Sequence, residues 1–376
     1  MSLKPKLHVV SFAVPYPPDY GGIIDVFYKI KNLSHLGVSI VLHVFQYDGR
    51  ESDELNKYCE KVIYYPRSRK FSDQLSTLPF IVKSRTDHNL LANLLKDDAP
   101  ILFEGLHTTC FIDHPALAGR KRYIRMHNIE SDYYYHLYKA EKSWTKKLFF
   151  YLESLKLARY EKAVLGKANG IFTVSEKDTQ QLQSYGNTLF VGAFHSFEKV
   201  SSAEGKSNFA LYHGKLDVAE NNEAALFLVN EVFTKTEYPL LIVGSNPSKE
   251  LMNAAEKRKN IEVRTGLPTA EIHRLLAEAQ MNALPTFQST GVKLKLLSAL
   301  YSGRFCLVNE AMVKGTGLAE YCVLAEKPEE WVKEIDRLKN TSFSAQEIEK
   351  REKLISGQYS NKINAAKLYA FIFPSS

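Results

Sequence analysis

Cysteine and tryptophan are scarce in this chain, with four Cys and two Trp in 376 residues. Cys59, Cys110, Cys306 and Cys322 lie far apart and form no C-x-x-C pair, which argues against a zinc site and against a disulfide-stapled secreted scaffold. A reducing compartment is therefore expected. Long hydrophobic runs are also missing: the N-terminus passes from Met1 through Lys6 into a short apolar strand pattern, with no small-residue cleavage site. That predicts neither secretion nor a membrane span, and a cytoplasmic location. No acidic triad suited to a metal stands out, no repeat of solenoid period occurs, and no low-complexity tract interrupts the sequence. What remains is the composition of an ordinary globular protein, 45% apolar and 24% charged. Its length exceeds what one core usually serves, so two α/β domains are expected.

The net charge of +7 is unevenly spread. Lys139, Lys142, Lys146, Lys147, Lys156, Arg159, Lys162 and Lys167 crowd one segment, interleaved with Trp144, Phe149, Phe150, Leu152 and Leu155. This pattern reads either as a solvated helix packed on its own domain or as a basic amphipathic face for an anionic membrane, on its inner side. Nucleic acid is not an expected partner, because no recognised binding motif accompanies the basic residues.

Along the chain, LHVVSFAV after Lys6 reads as a buried strand, PYPPDYGG as a loop, and Ile24, Phe27, Ile30 and Leu33 as a helical period that Gly37 ends. The next strand covers 38–45, so the chain opens with a β-α-β unit. Further short strands at 61–65, 101–104, 123–127 and 170–174 make the N-terminal half Rossmann-like. The polar stretch VSSAEGKSN at 200–208 reads as a linker or hinge, about which domain closure would assemble the site. After it the alternation of strands and helices restarts. The expected fold class is α/β with two Rossmann-like, doubly wound domains facing a central cleft. Residues 1–199 are expected to form the first domain, 200–208 the linker, 209–355 the second domain, and 356–376 a helix crossing back to the first.

Ligands of open α/β sheets collect at the carboxyl ends of strands, so the loops there are the places to look. Gly21 and Gly22, between a strand and a helix, let backbone approach a phosphate or sugar, or else serve a tight turn. His127, ending a strand in RMHNIESDYY, can donate to a sugar hydroxyl or stabilise developing charge; the alternative is a structural histidine. Glu104 ends the strand of ILFEG and could orient an acceptor hydroxyl, or be buried on a backbone partner. The most informative stretch is FQSTGVKLKLLSALYSG, where a polar loop with Ser289, Thr290 and Gly291 opens a helix carrying Lys293 and Lys295. Ammonium groups at a helix start oppose the macrodipole, and a diphosphate bound to the free amides would reconcile them.

Taken together and in this order, these motifs resemble the GT-B glycosyltransferases, and within them glycosyltransferase family 4 of the bacterial cell-surface glycan type. The resemblance rests on PPDYGG, RMHNIESDYY, TVSEKD, LYHGKLDVAENNEAALFLV, LLIVGS, VRTGLPTAEIHRLLAEAQMNALPT and STGVKLKLLSALYSG. It implies a metal-independent, retaining transfer of a hexosyl unit from a UDP- or GDP-sugar to a glycan or lipid-linked acceptor, with no further cofactor. Carried over by position, it implies that Gly21 and Gly22 approach the donor phosphate and that His127 contacts the donor sugar. Lys215 would bind the diphosphate, the loop at Gly266 would flank the base, and Thr290, Gly291, Val292 and Lys293 would line the phosphates. The family typically carries two glutamates in this last region, and the matching positions here are Thr290 and Ser298. Ser298 would hold the ribose hydroxyls as a neutral partner. That departure keeps two rivals open: a non-catalytic nucleotide-sugar-binding or assembly subunit, and an epimerase or hydrolase on the same fold.

Overall fold

The computed structural model describes residues 4–374 apart from 48, 142, 288–293 and 356. The chain forms two compact units, one from residues 1–196 with 358–376, the other from 197–289 with 293–357.

The first unit is built on a seven-stranded sheet: β1 (Lys6–Ser11), β2 (Ser39–Gln46), β3 (Lys61–Pro66), β4 (Ile101–Glu104), β5 (Arg122–Met126), β6 (Gly170–Thr173) and β7 (Thr188–Phe190). The order is β3-β2-β1-β4-β5-β6-β7, and every pairing is parallel. The strand order therefore reverses between β1 and β4, the crevice where open sheets of this kind take ligands. Strand residues alternate between two cores. Leu7, Val9, Leu42 and Leu102 join one cluster with Ile23, Val26, Ile30 and Leu33, whereas Val10, Phe45, Phe103 and Ile124 join another. A parallel sheet covered on both faces reads as continuous apolar runs, which is why β1 is VV-centred rather than alternating.

The helix Gly21–His35 sets its apolar residues three and four apart against the first cluster. Gly21 and Gly22 are its first two residues and not part of the preceding loop. Gly22 lies under Phe12: a Cβ there would come 2.8 Å from the ring Cζ. The C-terminal helix Asn361–Ile372 belongs to this unit and adds Ala365, Leu368 and Ile372 to the same cluster. Gly170 makes room for its Phe371, since a Cβ on Gly170 would fall 2.5 Å from the Phe371 ring.

The basic segment forms two helices, Glu130–Ala140 and Trp144–Val164. The longer one is inverted relative to an ordinary surface helix. Glu153 and Glu161 are buried, and Glu153 accepts from Phe80 N at 2.6 Å and Lys156 Nζ at 2.8 Å, while Glu161 accepts from Ser131 N at 3.1 Å. Trp144, Leu148, Tyr151, Leu152 and Leu155 face solvent, with Trp144 76% exposed.

The second unit carries a six-stranded parallel sheet, β10-β9-β8-β11-β12-β13. Its strands are β8 (Ala210–His213), β9 (Leu240–Val243), β10 (Ile261–Arg264), β11 (Met281–Leu284), β12 (Phe305–Val308) and β13 (Val323–Leu324). Here the order reverses between β8 and β11. The change-over from the first unit falls at 196–197, not within 200–208. That stretch is tied into the second unit: Ser201 N donates to Tyr301 O at 2.7 Å, Ser202 Oγ to Gly303 O at 2.6 Å, and Gly205 pairs with Phe343. Its polar residues satisfy strand and helix ends and so do not form a free tether.

Candidate functional site

In the first unit, the reversal point gathers charge from three separate segments. Asp25 and Lys29 lie one helical turn apart on the buried face of Gly21–His35, Glu104 ends β4, Arg125 sits in β5 opposite Glu104, and His127 follows β5. Lys29 Nζ is 2.9 Å from Asp25 Oδ2 and 2.8 Å from Glu104 Oε2, and none of the three is appreciably exposed. Arg125 grips Asp25 with two nitrogens, at 2.8 and 3.2 Å, and donates further to the carbonyls of Thr173, Val191 and Gly192. Asp25 also accepts from Phe194 N at 2.8 Å. Burial by itself would raise the Asp25 pKa; the Arg125 guanidinium and Lys29 ammonium outweigh it and hold the carboxyl well below its usual range.

His127 completes the group. Its Nε2 is 3.2 Å from Glu104 Oε2 and its Nδ1 is 3.8 Å from Asp25 Oδ2, with the ring stacked edge-on against Phe12. Two of the sequence-derived residues, Glu104 and His127, are thus in direct contact, and Gly22 joins them through Phe12. Glu104 Oε1 is buried and finds no hydrogen-bond partner among the described residues. Burying a carboxylate oxygen without a donor is costly, so this atom is suited to accept from a bound hydroxyl. Asp25, Glu104 and His127 offer ligand atoms within 4.8 Å of one another, as a metal would require. The Lys29 ammonium, however, already touches the same two carboxylate oxygens, so the cluster carries its own cation.

Asp25, Lys29 and Arg125 escape a motif-based reading. Their signal was nevertheless present: an Asp and a Lys four apart among Ile23, Val26, Phe27 and Ile30, and an Arg between Ile124 and Met126, are charges on faces that must be buried.

In the second unit, β8 ends at His213 and the chain turns through Gly214 and Lys215 into the helix Ala219–Phe227. Gly244 lets this turn close, because a Cβ there would fall 2.0 Å from Gly214 O. Lys215 is exposed, with its nearest carboxylate, Asp217, 3.9 Å away. Asn221 Nδ2 donates to Lys215 O at 2.9 Å and its Oδ1 accepts from Lys295 Nζ at 2.6 Å, which draws the helix Leu294–Ser302 to the turn. Lys295 also lies 5.2 Å over the Tyr212 ring. Glu220 accepts from Thr286 Oγ1 at 2.5 Å, closing the end of β11 against the same turn. His213 is held to a pKa of about 3 by burial and by nearby Lys295, so it stays neutral beside these cations.

Gly266, with φ of +70°, turns the chain after β10, two strands away from β8. Ser298 donates its hydroxyl to Leu294 O at 3.0 Å within its own helix. Thr290, Gly291, Val292 and Lys293 lie outside the described residues.

No protein-family model matches the chain. It is 25% identical over 347 residues, 90% of this chain and 81% of the relative, to a Klebsiella pneumoniae protein described as an uncharacterized 44.6 kDa protein in the cps region. Among solved structures it is similar to sucrose-phosphate synthase from Thermosynechococcus elongatus, with TM-score 0.71, 14% identity and coverage of 99% and 100% of the two chains. It is also similar to a TarM variant from S. aureus in complex with fondaparinux, α-GlcNAc-glycerol and UDP, at 0.68 and 11% identity over 98% and 100%. A third is the UDP-forming α,α-trehalose-phosphate synthase from Burkholderia vietnamiensis, at 0.62 and 11% identity over 98% and 99%. The chain has the two Rossmann-like domains of the GT-B fold.

Proposed function

We propose that this protein is a nucleotide-sugar-dependent glycosyltransferase, moving a hexosyl unit from a UDP- or GDP-sugar to a glycan or lipid-linked hydroxyl with retention and without a metal. The observation that carries this reading is the Glu104–His127 pair, backed by Lys29 and Asp25 at the reversal point of the first sheet. It is joined by the near-complete structural coverage of sugar-transferring relatives. The His127 imidazole would donate to a sugar hydroxyl or to charge developing in transfer, and Glu104 Oε1 would accept from a hydroxyl. Lys215, Lys295 and the amides opening Ala219–Phe227 would meet the diphosphate, with Thr290, Gly291, Val292 and Lys293 as further phosphate contacts, Gly266 beside the base and Ser298 at the ribose. Release of UDP or GDP from a panel of donors tests the proposal, using wild type and the Lys293→Ala and Lys295→Ala variants. If titration calorimetry detects neither nucleotide bound to the wild type, the reading fails.

A second reading concerns where the protein works. The exposed stripe Trp144, Leu148, Tyr151, Leu152 and Leu155 follows helical spacing and runs on into exposed Arg159 and Lys162. Phe71 and Leu75, 72% and 78% exposed, are held next to it by Lys156 Nζ donating to Gln74 O at 2.9 Å. Exposed Lys139 and Lys146 add to the positive charge around it. This combination suits docking on the anionic inner face of a cytoplasmic membrane. No helix among the described residues is long and apolar enough to cross one. Wild type should float with phosphatidylglycerol vesicles but not with phosphatidylcholine alone, and the Lys146→Glu, Lys147→Glu double variant should not float. Equal behaviour with both lipids would refute docking.

A further inference from the structure

The carboxyl edge of the first sheet holds a second group of charges that the transfer chemistry does not use. Arg50 follows β2, Arg67 follows β3, and Arg85 follows a short helix that packs beside them. Arg85 is only 5% exposed, and its Nε donates to Phe12 O and its Nη1 to Ile81 O, both at 2.8 Å. Arg67 is half-buried, donates from Nε to Ser84 Oγ at 3.1 Å, and lies 4.5 Å over the Tyr47 ring. Arg50 donates to the carbonyls of Tyr16 and Pro17 at 2.7 and 3.3 Å. Tyr20 lies within electrostatic reach of all three.

None of these guanidiniums pairs with a carboxylate among the described residues. Their bonds go to carbonyl and hydroxyl oxygens, which orient them without neutralising them. A buried cation lacking a counterion is costly, and burial pulls both Arg67 and Arg85 down to a pKa of about 10. Glu130 acts on Arg85 from a distance, but burial and Glu161 raise its own pKa to about 8, so at neutral pH it is a poor counterion. The helix Gly21–His35 begins beside this group, at Tyr20, with no side-chain cap and no acidic residue in its first turn. His107 Nδ1, buried and without a hydrogen-bond partner, is under the influence of the same two arginines, Arg85 and Arg67. Phe12 connects this group to the Glu104–His127 pair: its carbonyl holds Arg85 while its ring meets His107 at 5.1 Å and His127 at 5.6 Å.

We infer that Arg50, Arg67 and Arg85 form an oxyanion site that anchors a phosphate ester or carboxylate carried by the acceptor, leaving the acceptor's hydroxyl toward His127. Planar guanidiniums suit either oxyanion, since both accept paired N–H donors. This inference rests on the glycosyl-transfer reading above, which it narrows to acidic acceptors.

The test uses the full chain at fixed ionic strength, with glucose 6-phosphate, glucuronate, inorganic phosphate and neutral glucose as probes, and UDP and GDP titrated in parallel. Wild type should bind the acidic probes and not glucose, and the ranking of glucose 6-phosphate against glucuronate identifies the oxyanion. Arg67→Gln and Arg50→Gln, both away from the deepest burial, should weaken acidic probes by about 10-fold each, as loss of a charge-assisted hydrogen bond does, with nucleotide affinity unchanged. If the acidic probes bind no better than chloride while a nucleotide binds, the oxyanion site is wrong and the transferase reading stands. If Arg67→Gln weakens the nucleotide equally, the arginines hold the donor and the acceptor assignment is wrong. If the acidic probes bind but no nucleotide does, the transferase reading fails and the acceptor assignment with it.

Discussion

Glu104 and Lys29 meet at 2.8 Å with neither side chain exposed, and the same Glu104 oxygen is 3.2 Å from His127. A buried carboxylate is tolerable here because an ammonium from another segment neutralises it. Lys29→Met should therefore cost about 3–5 kcal/mol in urea unfolding, the range for breaking one side of a buried ion pair. Lys29→Ala should additionally acquire thermal stabilisation by Zn2+ that wild type lacks, because it vacates the position between Asp25, Glu104 and His127. A stability loss under about 1 kcal/mol would show that Lys29 is not the counterion.

His127→Asn removes the imidazole and keeps a polar side chain. In a transfer assay it should lower kcat by about 100-fold, the scale of one lost donor to developing charge, with nucleotide affinity unchanged. A rise in KM alone would reassign His127 to binding.

Glu130 gives a pH dependence with a definite sign. Burial, then Glu161, raises its pKa from 4.5 to about 8. Between those values the folded chain keeps a proton that the unfolded chain has released, so this group's contribution to stability is full below 4.5 and declines as pH rises to about 8. Glu130→Gln preserves the neutral shape, so its Tm advantage over wild type should be small at pH near 5 and reach several degrees at pH near 8. An advantage that does not change across that range would contradict the assignment.

Gly170→Ala places a methyl group against Phe371 and should destabilise by about 1–3 kcal/mol, as overpacking does. Combining it with Phe371→Leu should recover part of that loss in a double-mutant cycle. Purely additive effects would mean that the C-terminal helix does not pack on β6.

Much of the fold was legible from residue pattern. The apolar runs of β1, β2 and β4 are long enough to identify buried parallel strands, and the first helix ends just before Gly37, where expected. The short strands β7 and β13, three and two residues long, carry too few side chains to show a period. The segment at 200–208 looked like a tether because it is polar, but its serines and glycine bond to partners about a hundred residues away or more. Of the candidate site, Glu104 and His127 were visible as polar strand ends. The arginine group was not, since Arg50, Arg67 and Arg85 share no motif and come together only when the ends of β2 and β3 lie beside the short helix before Arg85.

The sequence by itself determined the two parallel sheets and the loops that end their strands, because hydrophobic periodicity and glycine placement act over a few residues. Tertiary structure alone decided which charges are buried together. A Lys on an apolar helix face is locally unfavourable, and only when the carboxylates of Asp25 and Glu104 and the guanidinium of Arg125 arrive from distant segments does burial become tolerable. The same holds for Trp144–Val164, whose acids turn inward because Phe80 N and Ser131 N wait there for an acceptor, leaving its aromatic and leucine side chains facing out.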